Sequence, residues 1–474
     1  MKNNLRKILA GVLAFGLLGG GSAAYAAMTI TIVNGNAAGV GFNDPTPVAP
    51  VGGNPGTTLG QQRLNAFQYA ASIWGATLDS AAAIRVLSTF EPLSCNATSA
   101  VLGSAGPTEI FRDFPGALVP GVWYHAALTN KLYGDVADPS TAEIRARFNS
   151  NLGNAGCLTG SPFYLGLDGN AGSKVNLVEV LLHEFAHGLG FSTVTNGTTG
   201  AYLGGYPSIY DTLAYDNTLG KTWVQMTNAE RQFSAVNPRQ LVWIGANVTA
   251  GAPSVLVGGT PQLQINAPAA IAGTYLAGRA QFGPALGYPG VNKQVMPVVE
   301  NGNLGLACNA FDAENAGAVK NRIALVLRGT CAFTVKVLNA QNAGALGVIV
   351  VDNVAGSPPP DLGGADPNVT IPAVRISLAD GVTLLSGMSL TPGNRSSGVV
   401  ARIGIDPAQL AGADKAGHVM LYTPSPFQSG SSVSHWDTSA FHNLLMEPAI
   451  NSDLTQHLDA PYDLTLPFMK DIGW

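Results

Sequence analysis

Charge is scarce in this chain of 474 residues: Asp, Glu, Lys and Arg together make up 11%, and the net charge is −5. No cluster of Lys and Arg breaks that pattern, so the electrostatic footprint of a nucleic-acid-binding protein is missing. A disordered chain would carry high charge and few aliphatics. Here Leu, Val, Ile and Ala are plentiful and Gly reaches 58, which suits β-rich, loop-rich extracellular architecture. Cysteine is limited to four, with no C-x-x-C pair, which removes zinc knuckles and dithiol redox motifs. Four cysteines in an exported chain invite two disulfides. Among three possible connectivities the sequential one, Cys95 with Cys157 and Cys308 with Cys331, keeps each bridge within one proposed domain. Beyond the first residues no apolar run reaches the roughly 18 residues that suggest a membrane-spanning helix. Histidine is sparse as well, at seven.

Export is expected from the start of the chain. Lys2, Arg6 and Lys7 precede the short apolar run Ile8 to Leu18, and Ala24-Tyr25-Ala26 reads as a cleavage signal. Residues 1–26 are thus expected to be a signal peptide and the mature protein to be secreted, without stable membrane insertion. About 450 mature residues exceed one compact core and imply two or three domains. "MTITIVN" reads as a strand, and "TTLGQQRLNAFQYAASIWGATL" as a helix with Leu64, Phe67, Ala71 and Trp74 on one face. "AAIRVLSTFEPL" follows as a strand, so the first part is α/β. "TNAERQFSAVN" predicts a short helix. From roughly Pro261 to Val400 the texture changes to buried strands and short helices ("NRIALVLRGTCAF", "TVKVLNAQNAGA", "LGVIVVDN", "IPAVRISLADGVTLL"), bounded by Gly/Pro-rich stretches.

The chemistry concentrates in "LVEVLLHEFAHGLGF", residues 177–191, where His183, Glu184 and His187 form H-E-x-x-H. Helical spacing puts His183 and His187 on one face, able to share one zinc ion, with Glu184 beside them. The helix is expected over about Val175 to Leu189, with Gly190 as its stop. Catalytic zinc takes three protein ligands and keeps a fourth position open, so one ligand is missing. A histidine one turn beyond Gly190 would supply it, but position 193 is Thr. Asp211, Asp216 and Glu230 remain as carboxylate candidates, and His418, His435 and His442 as remote histidines. His125 and His457 read as surface or packing residues. Asp437 reads equally as a carboxylate orienting a ligand or as a cap.

"HEFAHGLGF … GSSVSHWD … NLLMEP … LPFMKDIGW" resembles the metzincin zinc endopeptidases, especially the leishmanolysin-like branch. The resemblance implies that His435 is the third ligand, that Met446 forms the Met-turn beneath the metal, and that Glu184 is the general base and acid. It implies an α/β (α+β) catalytic domain, cofactor Zn2+, and protein or peptide substrates. The intervening stretch, with Cys308, "RIALVLRGTCAF", Lys336, "NAQNAGALGVIVVDN", "IPAVRIS" and Gly381, resembles a protease-associated (PA) domain, in which a disulfide matching Cys308–Cys331 is often found. The expected organisation is therefore a discontinuous catalytic domain over 27–260 and 401–474, split by a β-rich PA domain at 261–400. Calcium is a second expected ion in an exported chain with Asp/Asn/Gly-rich loops, although no loop has the spacing of a calcium site. A rival reading is a non-catalytic secreted binding protein that uses the PA domain and a structural zinc.

Overall fold

The computed structural model describes residues 27–134, 141–390, 396–451 and 453–474. The expected signal peptide lies outside the described residues. Strand β1 (Ile30–Asn34) opens a four-stranded sheet. It is followed by helix α1 (Leu59–Thr77), β2 (Ile84–Glu91), β3 (Gly103–Pro107), helix α2 (Ala126–Tyr133) and β4 (Ile144–Asn149). The order across the sheet is β1-β2-β4-β3, parallel except for β3, which runs antiparallel along the edge. Alternation in β2 buries Ile84, Val86 and Phe90 on one face, as period-two patterning requires. Helix α1 starts at Thr58, whose side chain accepts from the Gln61 amide, and it buries Phe67, Ala71 and Trp74.

Against these elements packs helix α3 (Leu177–Leu189), every residue of which is buried. It is shorter than expected by two residues. Val175 and Asn176 instead pair with Phe163 and Tyr164 as a short parallel bridge, and the Asn176 side chain caps the helix by accepting from Val178. Gly188 lets the helix press onto the sheet: a Cβ there would lie 2.4 Å from Ile144 Cγ2. The far end of α3 is closed by Trp474, whose indole N–H donates to the Leu189 carbonyl at 2.9 Å. Trp474 follows the C-terminal helix Thr465–Ile472.

The second large element is an eight-stranded sheet. Its strands in chain order are β5 (Gly258–Ala267), β6 (Gly273–Leu276), β7 (Gly278–Arg279), β8 (Val291–Pro297), β9 (Ile323–Leu327), β10 (Gly347–Val351), β11 (Ala373–Ile376) and β12 (Val400–Leu410). The order β6-β5-β12-β8-β9-β10-β11-β7 has a parallel centre, β8 to β11, flanked by antiparallel strands. Helices Phe333–Asn342 and Leu378–Ser386 follow β9 and β11. By sheet membership the unit runs from Gly258 to Leu410, and β12 continues ten residues beyond the expected edge at 400. Because β5 and β12 are paired neighbours, the chain enters and leaves this unit side by side.

Both disulfides join the sequential partners, Cys95–Cys157 and Cys308–Cys331. Beside the second, the fully buried Lys336 donates from Nζ to the carbonyls of Leu306 at 2.6 Å and Gly329 at 2.8 Å. Burial pulls its pKa down to about 8, against the opposing pull of Glu300. Lys336→Met should leave the Leu306 carbonyl without an N–H donor, while Gly329 keeps the Cys331 amide, at a cost of about 1–3 kcal/mol. Urea unfolding of the full chain, followed through this unit, would measure it.

Candidate metal centre

Three imidazoles converge at the centre of the first unit. His183 and His187 project from α3, and His435 arrives from the segment after β12. Their Nε2 atoms lie 3.1 Å (183–187), 3.2 Å (187–435) and 3.3 Å (183–435) apart. Each ring uses its other nitrogen on a backbone carbonyl: His183 Nδ1 on Leu445 at 2.7 Å, His187 Nδ1 on Phe191 at 2.7 Å, and His435 Nδ1 on Ser431 at 2.8 Å. A carbonyl only accepts, so each Nδ1 must carry the proton and each Nε2 presents a lone pair. Three lone pairs pointing at one another have no hydrogen bond to share. They call for a cation.

Electrostatics agrees. Burial lowers the pKa of His183 to about 4, opposed by its bond to the Leu445 carbonyl. Burial, followed by repulsion from His183, lowers His435 to about 3. His187 lies well below its ordinary value through burial and then through His435 and His183. All three are neutral at physiological pH, the state a metal requires. The donor set also fits zinc in size, since Zn–N bonds of about 2.0–2.1 Å in a tetrahedron imply N···N edges of about 3.3–3.4 Å.

Among the described residues this is the only group of three or more His, Cys, Asp or Glu whose ligand atoms close up in this way. Calcium therefore gains no support from a carboxylate cluster. The rival carboxylates are otherwise engaged. Asp211 is buried and accepts from Thr193 Oγ1 and Thr195 Oγ1, both at 2.6 Å, and from the Ser208 amide at 2.8 Å. Thr193, the residue standing where a nearby third histidine would be, thus ties down a loop. Asp216 closes a turn through the amides of Thr218 and Leu219. Glu230 completes a capping box with Thr227 and pairs with Lys221. His418 pairs with Asp414, His442 is exposed, and the exposed His457 stacks on Tyr462. His125 is a packing residue, 3% exposed. Asp437 accepts from the Ser439 amide and pairs with Arg239.

Glu184 is buried beside the triad. Burial raises its pKa to about 8, opposed by a hydrogen bond from the Ala105 amide in β3. Gly103, also in β3, leaves the space it occupies: a Cβ there would lie 2.9 Å from Glu184 Oε1. Met446 is fully buried, and its carbonyl accepts from the Trp436 amide at 2.8 Å. The residue before it, Leu445, supplies the carbonyl that orients His183. The triad and Glu184 line a cleft of ≈ 1020 Å³ whose walls include β3 and residues 447–451. Sequence reasoning passed over two further carboxylates in these walls, Glu179 and Glu447. Burial pushes Glu179 up to about 7 and Glu447 well above its usual range. Helical spacing was the available signal for Glu179, one turn before His183.

Residues 294–384 match the family model of the PA domain, so the chain carries one. Leucine aminopeptidase 2 of Arthroderma otae is 41% identical over 98 residues, 21% of this chain and 19% of that protein. The minor extracellular protease Vpr of Bacillus subtilis is 30% identical over 146 residues, 30% of this chain and 17% of that protein. The ER degradation-enhancing alpha-mannosidase-like protein 3 of Homo sapiens is 41% identical over 81 residues, 17% of this chain and 8% of that protein. The chain thus spans less than a fifth of the length of these curated relatives. Their names cover different chemistries. Among solved structures, an aminopeptidase from Aneurinibacillus sp. strain AM-1 matches over 32% of this chain and 31% of its own, at 23% identity and a TM-score of 0.24. BSAP, a zinc aminopeptidase from Bacillus subtilis, matches over 34% and 36% at 21% identity and a TM-score of 0.23. Among the described residues no helix is long and apolar enough to cross a membrane.

Proposed function

We propose that the protein is an exported zinc-dependent endopeptidase of metzincin type, with a catalytic domain interrupted by its PA domain. The observation that carries the reading is the trio of bare Nε2 atoms from His183, His187 and His435, each fixed by a carbonyl behind it. Zinc, when bound, supplies a Lewis acid that polarises the scissile carbonyl and acidifies water to a pKa of about 7. The remaining work falls to the chain. The three neutral imidazoles leave the ion its full positive charge. Glu184 accepts the water proton and passes it to the departing amine. Its burial supports that role, because a carboxyl poorly solvated as an anion holds a proton well. The antiparallel edge strand β3 borders the cleft, a position suited to an extended peptide adding itself as a further strand.

Gelatin or casein zymography, with and without a chelator, tests the reading. Chelator-sensitive clearing that returns with added zinc is expected; no clearing in zinc-loaded protein would favour a structural zinc in a binding protein. Internal cleavage of peptides with acetylated N-termini should separate an endopeptidase from an aminopeptidase, which would leave them intact. A pH prediction accompanies this. The ligands bind few protons until acid conditions, so zinc affinity measured by competitive titration should change little through the His183 and His435 protons between pH 8 and 5. It should fall steeply as pH approaches about 4. A drop centred near the ordinary histidine value would contradict the assignment.

A further inference from the structure

The PA-domain unit does more than sit beside the centre. At its β7 edge, Arg279 crosses to the segment between His435 and Met446. Its Nη2 donates to the Ala440 carbonyl at 3.1 Å and to Asn443 Oδ1 at 3.3 Å, and its guanidinium lies 3.9 Å from the centroid of the Phe441 ring. Asp361, also in this unit, holds the arginine in place, accepting from its backbone amide at 2.8 Å and from Nε at 3.2 Å. Two residues earlier, the Ala277 carbonyl accepts from Arg239 Nη2 at 3.4 Å. Arg239 in turn pairs with the buried Asp437, also at 3.4 Å. A third tie is a two-way backbone bridge between Ser357 and Ser425.

The held segment matters because it orients two of the three candidate ligands. It begins with His435 itself. Its other end delivers the Leu445 carbonyl to His183 Nδ1, and the Trp436 amide closes the loop on the Met446 carbonyl. Leu444 and Leu445 are fixed from behind by Glu447 and Asp463, which accept from their amides. Between Asp437 and Asn443, the Arg279 side chain grips the loop at three places, residues 440, 441 and 443.

We infer that Arg279 is a positioning residue for the metal centre, through which the eight-stranded unit that carries the PA domain sets the geometry of the loop between His435 and the carbonyl that aims His183. The inference rests on the proposed metal centre. Groups that hydrogen-bond a ligand from behind typically cost about 10–100-fold in metal affinity when removed. Arg279 acts one step further out, through the loop between His435 and the Leu445 carbonyl, so its loss should cost less than that.

The test uses the full chain, with zinc affinity by chelator competition and the visible absorption of the cobalt-substituted protein as readouts. Arg279→Ala is expected to bind zinc up to about 10-fold more weakly, the low end of the range for direct outer-shell partners, and to show altered cobalt band intensities. Arg279→Lys, which keeps the charge but loses the planar fork, should fall between it and wild type. Arg328→Ala, removing an exposed partner of Asp352, which keeps its pair with Arg375 in the same unit, should leave both readouts unchanged. If Arg279→Ala fails to fold by circular dichroism, Arg279→Lys decides alone. Wild-type affinity and spectrum in a folded Arg279 variant would overturn the inference and leave the metal centre standing. Wild-type protein that takes up no zinc would overturn the metal centre itself.

Discussion

Protein carrying His435→Ala should come off a purification column with little zinc, and should lose any remainder under mild chelation that leaves the wild type loaded. The expectation follows from ligand number. Apparent zinc binding free energies of about 10–16 kcal/mol for four-ligand sites correspond to roughly 2.5–4 kcal/mol per ligand, or about two to three powers of ten in affinity. The remaining imidazoles also lose geometry, since His435 Nε2 stands 3.2 Å from His187 and 3.3 Å from His183. Zinc raises the melting temperature of a protein whose folded state alone binds it. That rise should vanish in the variant, while apo proteins of both kinds melt nearly together. Metal content equal to wild type, by elemental analysis, would return the third position to Asp211 or Glu230.

Glu184→Gln should behave in the opposite way, retaining zinc at wild-type stoichiometry while losing activity. Glutamine fills the same volume next to Gly103 and can still accept from the Ala105 amide. It cannot take up the water proton. General base and acid steps together are worth about 10²–10⁴-fold, so kcat should fall by that amount with little change in KM. Casein hydrolysis at the wild-type rate would remove Glu184 from the mechanism. The two variants form a pair: one abolishes binding of the ion, the other the proton transfer beside it.

Much of the first unit was legible in the sequence because its signals are local. The α1 face, the alternation of β2 and the H-E-x-x-H helix each lie within one stretch of chain, and each formed within two or three residues of its expected limits. The second unit's central strands were equally plain as apolar runs. Its antiparallel rim was not. Strand β5 contains "GGTPQ", carries irregularities near both ends, and owes its shape to pairing with a strand over a hundred residues away. Helix Ala246–Val255 was invisible for a related reason: it contains Gly251 and Pro253, poor helix formers by themselves, and Asp471 stabilises its start from the far end of the chain through the amides of Asn247 and Val248.

The site divides along the same line. Two imidazoles and the carboxylate follow from spacing, whereas no local rule reaches from His187 to His435; only the resemblance supplied that residue. The carbonyls of Leu445, Phe191 and Ser431 left no trace at all, because a backbone oxygen has no residue identity. The grip of Arg279 on residues 440–443 depends on how two units meet, and composition says nothing of that.

The position of His435 beyond the eight-stranded sheet also sets an order of assembly. A ribosome releases the helix bearing His183 and His187 first, and 248 positions separate His187 from the last imidazole. Until β12 has zipped against β5 and drawn the following segment back, the nascent chain offers only a two-histidine site of weak affinity. The candidate metal centre is therefore completed late in synthesis, and the ion's third imidazole arrives only after the intervening sheet has been made.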